Sequence, residues 1–185
     1  MNVRVNLATA EDFEAIADLQ ASSIRLLSSG CYNERQIESL IKSQRSARIA
    51  GKEALFIACH GSTLVGFASL LDHQPSIGAI YVHPDFTRQG IGRRLAETLE
   101  KKAIQRNHRR IYAMSSLEAV EFYRAIGYKK AYKSGFWSDG PIWIPCVYMQ
   151  KQLIPLVPME NRSRRILFLL VGLFFAALMI TLIFQ

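Results

Sequence analysis

Val82-His83-Pro84-Asp85-Phe86-Thr87-Arg88-Gln89-Gly90-Ile91-Gly92-Arg93-Arg94-Leu95 is the stretch that decides how this chain folds. A β-rich run ending at Val82 enters a proline-marked turn and meets two glycines one residue apart. It then continues into a helix that keeps Ile91, Leu95, Leu99 and Ala103 on one side. Glycine lets main-chain N–H groups approach an anion with no Cβ in the way, and the start of a helix carries partial positive charge. The pattern predicts a phosphate-binding turn. A P-loop, which needs Gly, four residues, then Gly-Lys-Ser/Thr, occurs nowhere in the chain. A dinucleotide fingerprint needs a third glycine where Leu95 stands.

Working outward, alternation of Val3, Val5 and Leu7 predicts a first strand, and Thr9 with Asp12 caps a helix with an apolar face of Phe13, Ile16, Ala17, Ile24 and Leu27. After Ser28-Ser29-Gly30, the positions of Ile37, Leu40 and Ile41 predict a second, short helix. Two β-rich runs, 54–60 and 63–71, flank a hairpin turn at Gly61-Ser62. Beyond the glycine turn, 110–114 reads as a strand, and Ser115 with Glu118 forms a capping box for a helix ending near Ile126. Runs 128–133 and 146–151 read as final strands, joined by a loop that carries Trp137 and Trp143. The order predicts an α/β domain with a mixed sheet and helices on both faces.

Two motifs carry a family resemblance over roughly residues 3–153. Arg88-Gln89-Gly90-Ile91-Gly92-Arg93 is similar to the acyl-coenzyme A signature of the GCN5-related N-acetyltransferase (GNAT) superfamily. Ser116 to Tyr123, followed by Gly127-Tyr128, resembles that superfamily's second motif, Phe-Tyr before Gly-aromatic. Pro145 to Met149 and Lys151 look like the last strand of many bacterial members. The resemblance implies a centrally splayed sheet and acetyl-coenzyme A (acetyl-CoA) as co-substrate, with no metal. It implies that backbone groups of Ile80, Tyr81 and Val82 pair with the pantetheine arm. It further implies that amides from Arg88 through Gln89, Gly90, Ile91 and Gly92 to Arg93 cradle the pyrophosphate, and that Tyr123 acts as the general acid on the departing thiolate. The chain departs from the family pattern at Thr87, at Glu118, and in lacking a carboxylate on the 76–81 run.

Acetyl transfer to an amine needs a neutral nucleophile, a positioned thioester, donors for the oxyanion and an acid for the thiolate. No general base stands out in the sequence. Asp72 and His73 read as a solvated turn, His83 shapes the turn before Pro84, and Glu118 is accounted for by its capping box. Cys31, Cys59 and Cys146 form neither a disulfide framework nor a zinc pattern, and Cys59 and Cys146 fall in strands, so an acyl-cysteine route is disfavoured.

The net charge is +8, and every charged residue precedes Ile166. From Ile166 to Phe184 run 19 residues without a charge, a proline or a side-chain amide, enough to span a hydrocarbon core of roughly 30 Å as a helix. The expected organisation is an N-acetyltransferase domain over 1–154, a Pro/Arg linker over 155–165 and a transmembrane helix over 166–184. Arg162, Arg164 and Arg165 flank only one side of that helix, and the N-terminal residues lack signal-peptide features. The positive-inside rule then places the domain on the cytoplasmic face. Basic charge suits anionic lipid headgroups. A nucleic-acid partner, as for family members acting on aminoacyl-tRNA, is the less favoured alternative. A non-catalytic acyl-CoA-binding module at a membrane is another. The sequence leaves open the class of amine acceptor and the oligomeric state.

Overall fold

A computed structural model of the chain describes residues 2–49, 52–138 and 140–155. Strand β1 (Val3–Leu7) leads through a 3-10 turn, Ala10–Asp12, into α1 (Phe13–Leu27) and α2 (Glu34–Ile49). There follow β2 (Glu53–His60), β3 (Thr63–Leu71) and β4 (Ser76–Val82), then α3 (Ile91–Gln105), β5 (Arg110–Ser115), α4 (Val120–Ala125), β6 (Lys129–Ser138) and β7 (Ile142–Gln152). The seven strands form one sheet in the order β1-β2-β3-β4-β5-β7-β6. Neighbours are antiparallel except β4 and β5. That parallel pair meets only at Ser76↔Tyr112 and Ile77↔Ala113, so β4 leaves β5 after its second residue and the sheet is splayed at its centre. The mixed α/β architecture and the splay agree with the expectation from the sequence.

Two sets of side chains hold the helices to the sheet. Ile91, Leu95, Leu99 and Ala103 of α3 are buried against Ala68, Leu70, Ile77, Ile111 and Met149, as their spacing predicts. On the α1 side, Ile16 and Leu19 close over Ile57, Phe67 and Ala79. Ile24, Ile37 and Leu40 meet Ile144. Gly66 lets α3 lie this close, because a Cβ there would stand 2.9 Å from the Tyr81 carbonyl oxygen and 3.3 Å or less from Leu95 and Ile91. The Thr9 amide donates to Asp12 Oδ2 at 2.8 Å, the local cap that the sequence pattern predicts.

Several elements differ from the reading of the sequence. The second helix is not short. It runs 16 residues, and Arg48 near its end is buried with Glu53 at the start of β2, Nη1 to Oε1 at 2.9 Å with each side chain 3% exposed. Leu27 is exposed rather than packed. The Ser115–Glu118 box does not form: Ser115 is the last paired residue of β5, opposite Val147, and its hydroxyl donates to the Ser116 carbonyl. The helix that follows is accordingly short, and begins at Val120. The tryptophan loop is largely strand, with Trp137 on β6 directly opposite Trp143 on β7.

Residues up to Ile154 form one compact unit. Of the expected linker only Pro155 is described, and the expected transmembrane segment 166–184 lies outside the described residues. Among the described residues, no helix is long and apolar enough to cross a membrane.

Candidate active site

The splay and the glycine turn meet at one place. His83 N–H donates to the Val65 carbonyl at 2.9 Å, and Val82, Tyr81 and Ile80 oppose Gly66, Phe67 and Ala68. Antiparallel pairing alternates by residue, so the main-chain groups of Tyr81 go to Phe67, while those of Ile80 and Val82 face the open side where β5 has turned away. Backbone N–H and C=O groups demand partners. Here a strand edge stands ready for an extended chain. Tyr81 was expected to share that edge. Its backbone does not, and its ring instead stacks on Phe67, centroids 5.6 Å apart.

Next along the chain, Pro84–Phe86 makes a 3-10 turn and Arg88 and Gly90 both take positive φ, 61° and 81°. The first helical bond of α3 is Arg94 N–H to the Gly90 carbonyl, 3.1 Å. Among the described residues, the six N–H groups from Arg88 to Arg93 find no acceptor in the protein. A left-handed residue followed by a helix start turns such groups to one side, the arrangement that binds phosphate oxygens. Gly92 has a second reason to be glycine: Phe122 approaches to 3.1 Å of where its Cβ would be.

These features line a cleft of about 530 Å³. Ile80, Val82, Arg88, Gly90, Ile91, Gly92 and Arg93 all border it, but Gln89 does not, its side-chain amide donating to the Asp85 carbonyl at 3.4 Å. A smaller cavity of about 100 Å³ is lined by residues of β4 and β5 together with Tyr32, Gln44 and Tyr123, among others. Ile80, Ala119 and Phe122 border both spaces, so the two adjoin at the middle of β4.

Tyr123 sits on α4, nearly buried, its ring edge-on to Phe122 and Tyr128 with both centroids at 5.2 Å. Its hydroxyl takes no hydrogen-bond partner among the described residues. Burial, with the neighbouring Tyr81, raises its phenol above the ordinary 10.0, so it holds its proton through the neutral range. Burial likewise raises the thiols of Cys59 and Cys146, which disfavours either as a nucleophile.

Three site residues escaped the sequence reading. Ser23 Oγ donates to the Val82 carbonyl at 3.0 Å, fixing the end of the strand edge. Tyr32 Oη donates to the Pro145 carbonyl at 2.8 Å and accepts the Leu117 N–H at 3.0 Å. Ser28 Oγ donates to Glu118 Oε1 at 2.5 Å. Together they tie the α1–α2 corner to β4 and to the turn before α4. Only Ser23 left a trace in the sequence, as a hydroxyl seven residues beyond Ile16 on the buried stripe of α1.

Comparison with known proteins agrees with this geometry. Residues 28–153 match the family model described as an acetyltransferase (GNAT) domain. A GCN5-related N-acetyltransferase from Rhodopseudomonas palustris is 28% identical with a TM-score of 0.76, over 82% of this chain and 96% of that one. PaiA N-acetyltransferase from Thermoplasma acidophilum, solved with coenzyme A, is 22% identical at 0.66, over 82% and 99%. YncA of Salmonella typhimurium, a putative acetyltransferase solved with acetyl-CoA, is 16% identical at 0.59, over 86% and 99%. No curated protein matches the chain.

Proposed function

The chain belongs to the GNAT acetyltransferase family, and on that premise we propose that it transfers the acetyl group of acetyl-CoA to a primary amine by direct attack in a ternary complex. The observation that carries the reading is the run of six unpartnered N–H groups from Arg88 to Arg93 beside the half-open strand β4. The diphosphate of the co-substrate suits the first, and its extended amide arm suits the second. The chemistry of the site fits the group.

In the proposed ternary complex, Ile80 and Val82 hold the arm as a neighbouring strand would, and an N–H near Val82 faces the acetyl carbonyl, where negative charge develops. The amine nitrogen bonds to the carbonyl carbon, the carbon–sulfur bond breaks, and the Tyr123 hydroxyl gives its proton to the departing thiolate. Tyr123 belongs to the apolar core cluster, which limits the water that would otherwise compete.

The test is release of free thiol from acetyl-CoA by the full chain when primary amines are supplied. Tyr123→Phe is expected to lower kcat about 100-fold while the coenzyme Kd stays within about twofold. Equal loss of both removes Tyr123 from the acid role. Tight coenzyme binding with no thiol released from any amine overturns the transferase reading.

We extend the proposal to place. The uncharged segment 166–184 and the arginines that precede it support a domain held on the cytoplasmic face of a membrane. Deleting 166–184 is then expected to move the protein from the membrane fraction to the supernatant. Unchanged sedimentation sinks this part alone.

A further inference from the structure

Removal of a proton from the incoming amine has no agent in the account above. Among the described residues, Glu118 is the only Asp, Glu or His that lines either the 530 Å³ cleft or the adjoining cavity. Its carboxylate is not used as a helix cap. One oxygen, Oε1, accepts the Ser28 hydroxyl at 2.5 Å. The other, Oε2, is buried and has no hydrogen-bond partner. An unpartnered carboxylate oxygen kept from water is a costly arrangement unless a donor arrives to meet it. Glu118 precedes Ala119, which borders both spaces, and Tyr123 lines the far one. Glu118 and Tyr123 thus line adjoining spaces that share Ile80, Ala119 and Phe122.

Resting on the acetyl-transfer reading, we infer that Glu118 is the general base of this site and that Ser28 is its positioning residue. An incoming ammonium gives its surplus proton to Glu118 Oε2, and the neutral nitrogen that results attacks the carbonyl carbon. The carbon–sulfur bond breaks and the thiolate takes the Tyr123 proton. When the products leave, Glu118 gives its proton up to solvent and Tyr123 regains the one that the nitrogen loses on becoming an amide, so an ammonium yields amide, free thiol and one released proton. The groups facing Glu118 are Ser28 and Tyr32 from the α1–α2 corner and Tyr81 from β4, and Arg88 and Arg93 share its cleft.

The experiment uses the full chain, acetyl-CoA and a series of amines from weakly basic trifluoroethylamine to strongly basic ethylamine, with thiol release as readout. Glu118→Gln keeps the side chain's size and its bond from Ser28, so the fold is kept, which a thermal melt checks. Its kcat on ethylamine is expected to fall by about 100-fold or more. The coenzyme Kd by calorimetry should stay within about twofold, and the deficit should shrink toward trifluoroethylamine, which arrives already neutral. Ser28→Ala, which leaves the carboxylate in place but unheld, is expected to show a smaller loss with the same trend. A Glu118→Gln protein with wild-type turnover, with one uniform loss across the series, or with an equal loss of coenzyme affinity overturns the base. A wild-type chain that binds acetyl-CoA yet acetylates none of the amines overturns the transfer reading itself.

Discussion

Gly92 and Gly90 are both glycines of the phosphate turn, yet different forces hold them. Gly90 has φ 81° and open space where a Cβ would point, so Gly90→Ala meets only the left-handed backbone penalty, about 1–2 kcal/mol. Gly92 lies inside α3 with an ordinary helical backbone, and its constraint is Phe122 at 3.1 Å. Gly92→Val is expected to displace Phe122 from the wall between the two cavities. Overpacking of this kind costs about 1–3 kcal/mol. Calorimetry should show the coenzyme Kd raised about tenfold or more by Gly92→Val, whereas Gly90→Ala should register mainly as a lowered Tm. At this scale the sequence was legible where chemistry is local. A Gly-x-Gly after a strand sets its own backbone, and the turn sits where the pattern puts it. Glu118 was illegible for the complementary reason. Ser-x-x-Glu at 115–118 satisfies a capping spacing, but pairing of Ser115 with Val147 takes the serine into β5, and the hydroxyl that holds Glu118 is 90 residues away.

The junction of α2 and β2 shows the same competition between whole elements. Arg48 and Glu53 are buried together, and Arg48 Nη1 also donates to Ser69 Oγ at 2.7 Å. Burial lowers the guanidinium and raises the carboxyl, each opposed by the charge of the other. The pair is also why β4 carries glycine at 78, where a Cβ would stand 2.7 Å from Glu53 Oε2 and from Ser69 Oγ. Removing one partner leaves the other charge buried alone. Glu53→Gln is therefore expected to cost about 3–5 kcal/mol in urea unfolding, while the double change Arg48→Met, Glu53→Leu should cost far less or nothing. A loss from the double variant as large as from the single one would mean that the pair itself supplies the stability. Nothing in the 34–49 stretch advertises this, since an arginine near the end of a polar helix ordinarily reads as solvated. The same blindness shortened the helix in the reading of the sequence and turned the inner part of the β6–β7 hairpin, between the predicted strands 128–133 and 146–151, into a loop, because Gly135, Pro141 and Pro145 mask the strands that Trp137 and Trp143 occupy.

For the molecule as a whole, tyrosines whose phenols are raised by burial set the alkaline limit. Burial raises the phenols of Tyr32, Tyr81, Tyr123 and Tyr128 above the ordinary 10.0. Above that pH the unfolded chain has lost protons that the native state keeps, so fewer protons are bound on unfolding and stability falls as pH rises. Below it these groups contribute no slope. Each phenol adds up to about 1.4 kcal/mol per pH unit to the decline. Denaturant titrations across the alkaline range should show stability flat on this account until about pH 10 and falling steeply beyond, and Tyr128→Phe should make the fall shallower. The overall architecture was legible from element order. The sheet order and its central gap were not in the periodicity, because the parting of β4 from β5 is a tertiary event, and the expectation of it came from the family resemblance.

That parting has a physiological consequence. Under the proposed function, the grip on the coenzyme comes from the bend at 88–93 and from the free edge of β4, and of these only the N–H near Val82 meets the two-carbon group that is transferred. The spent carrier therefore keeps nearly every handhold of the loaded one. Such an enzyme competes with its own by-product, and its output in the cell would follow the ratio of charged to discharged carrier rather than the total pool, making it a gauge of metabolic supply.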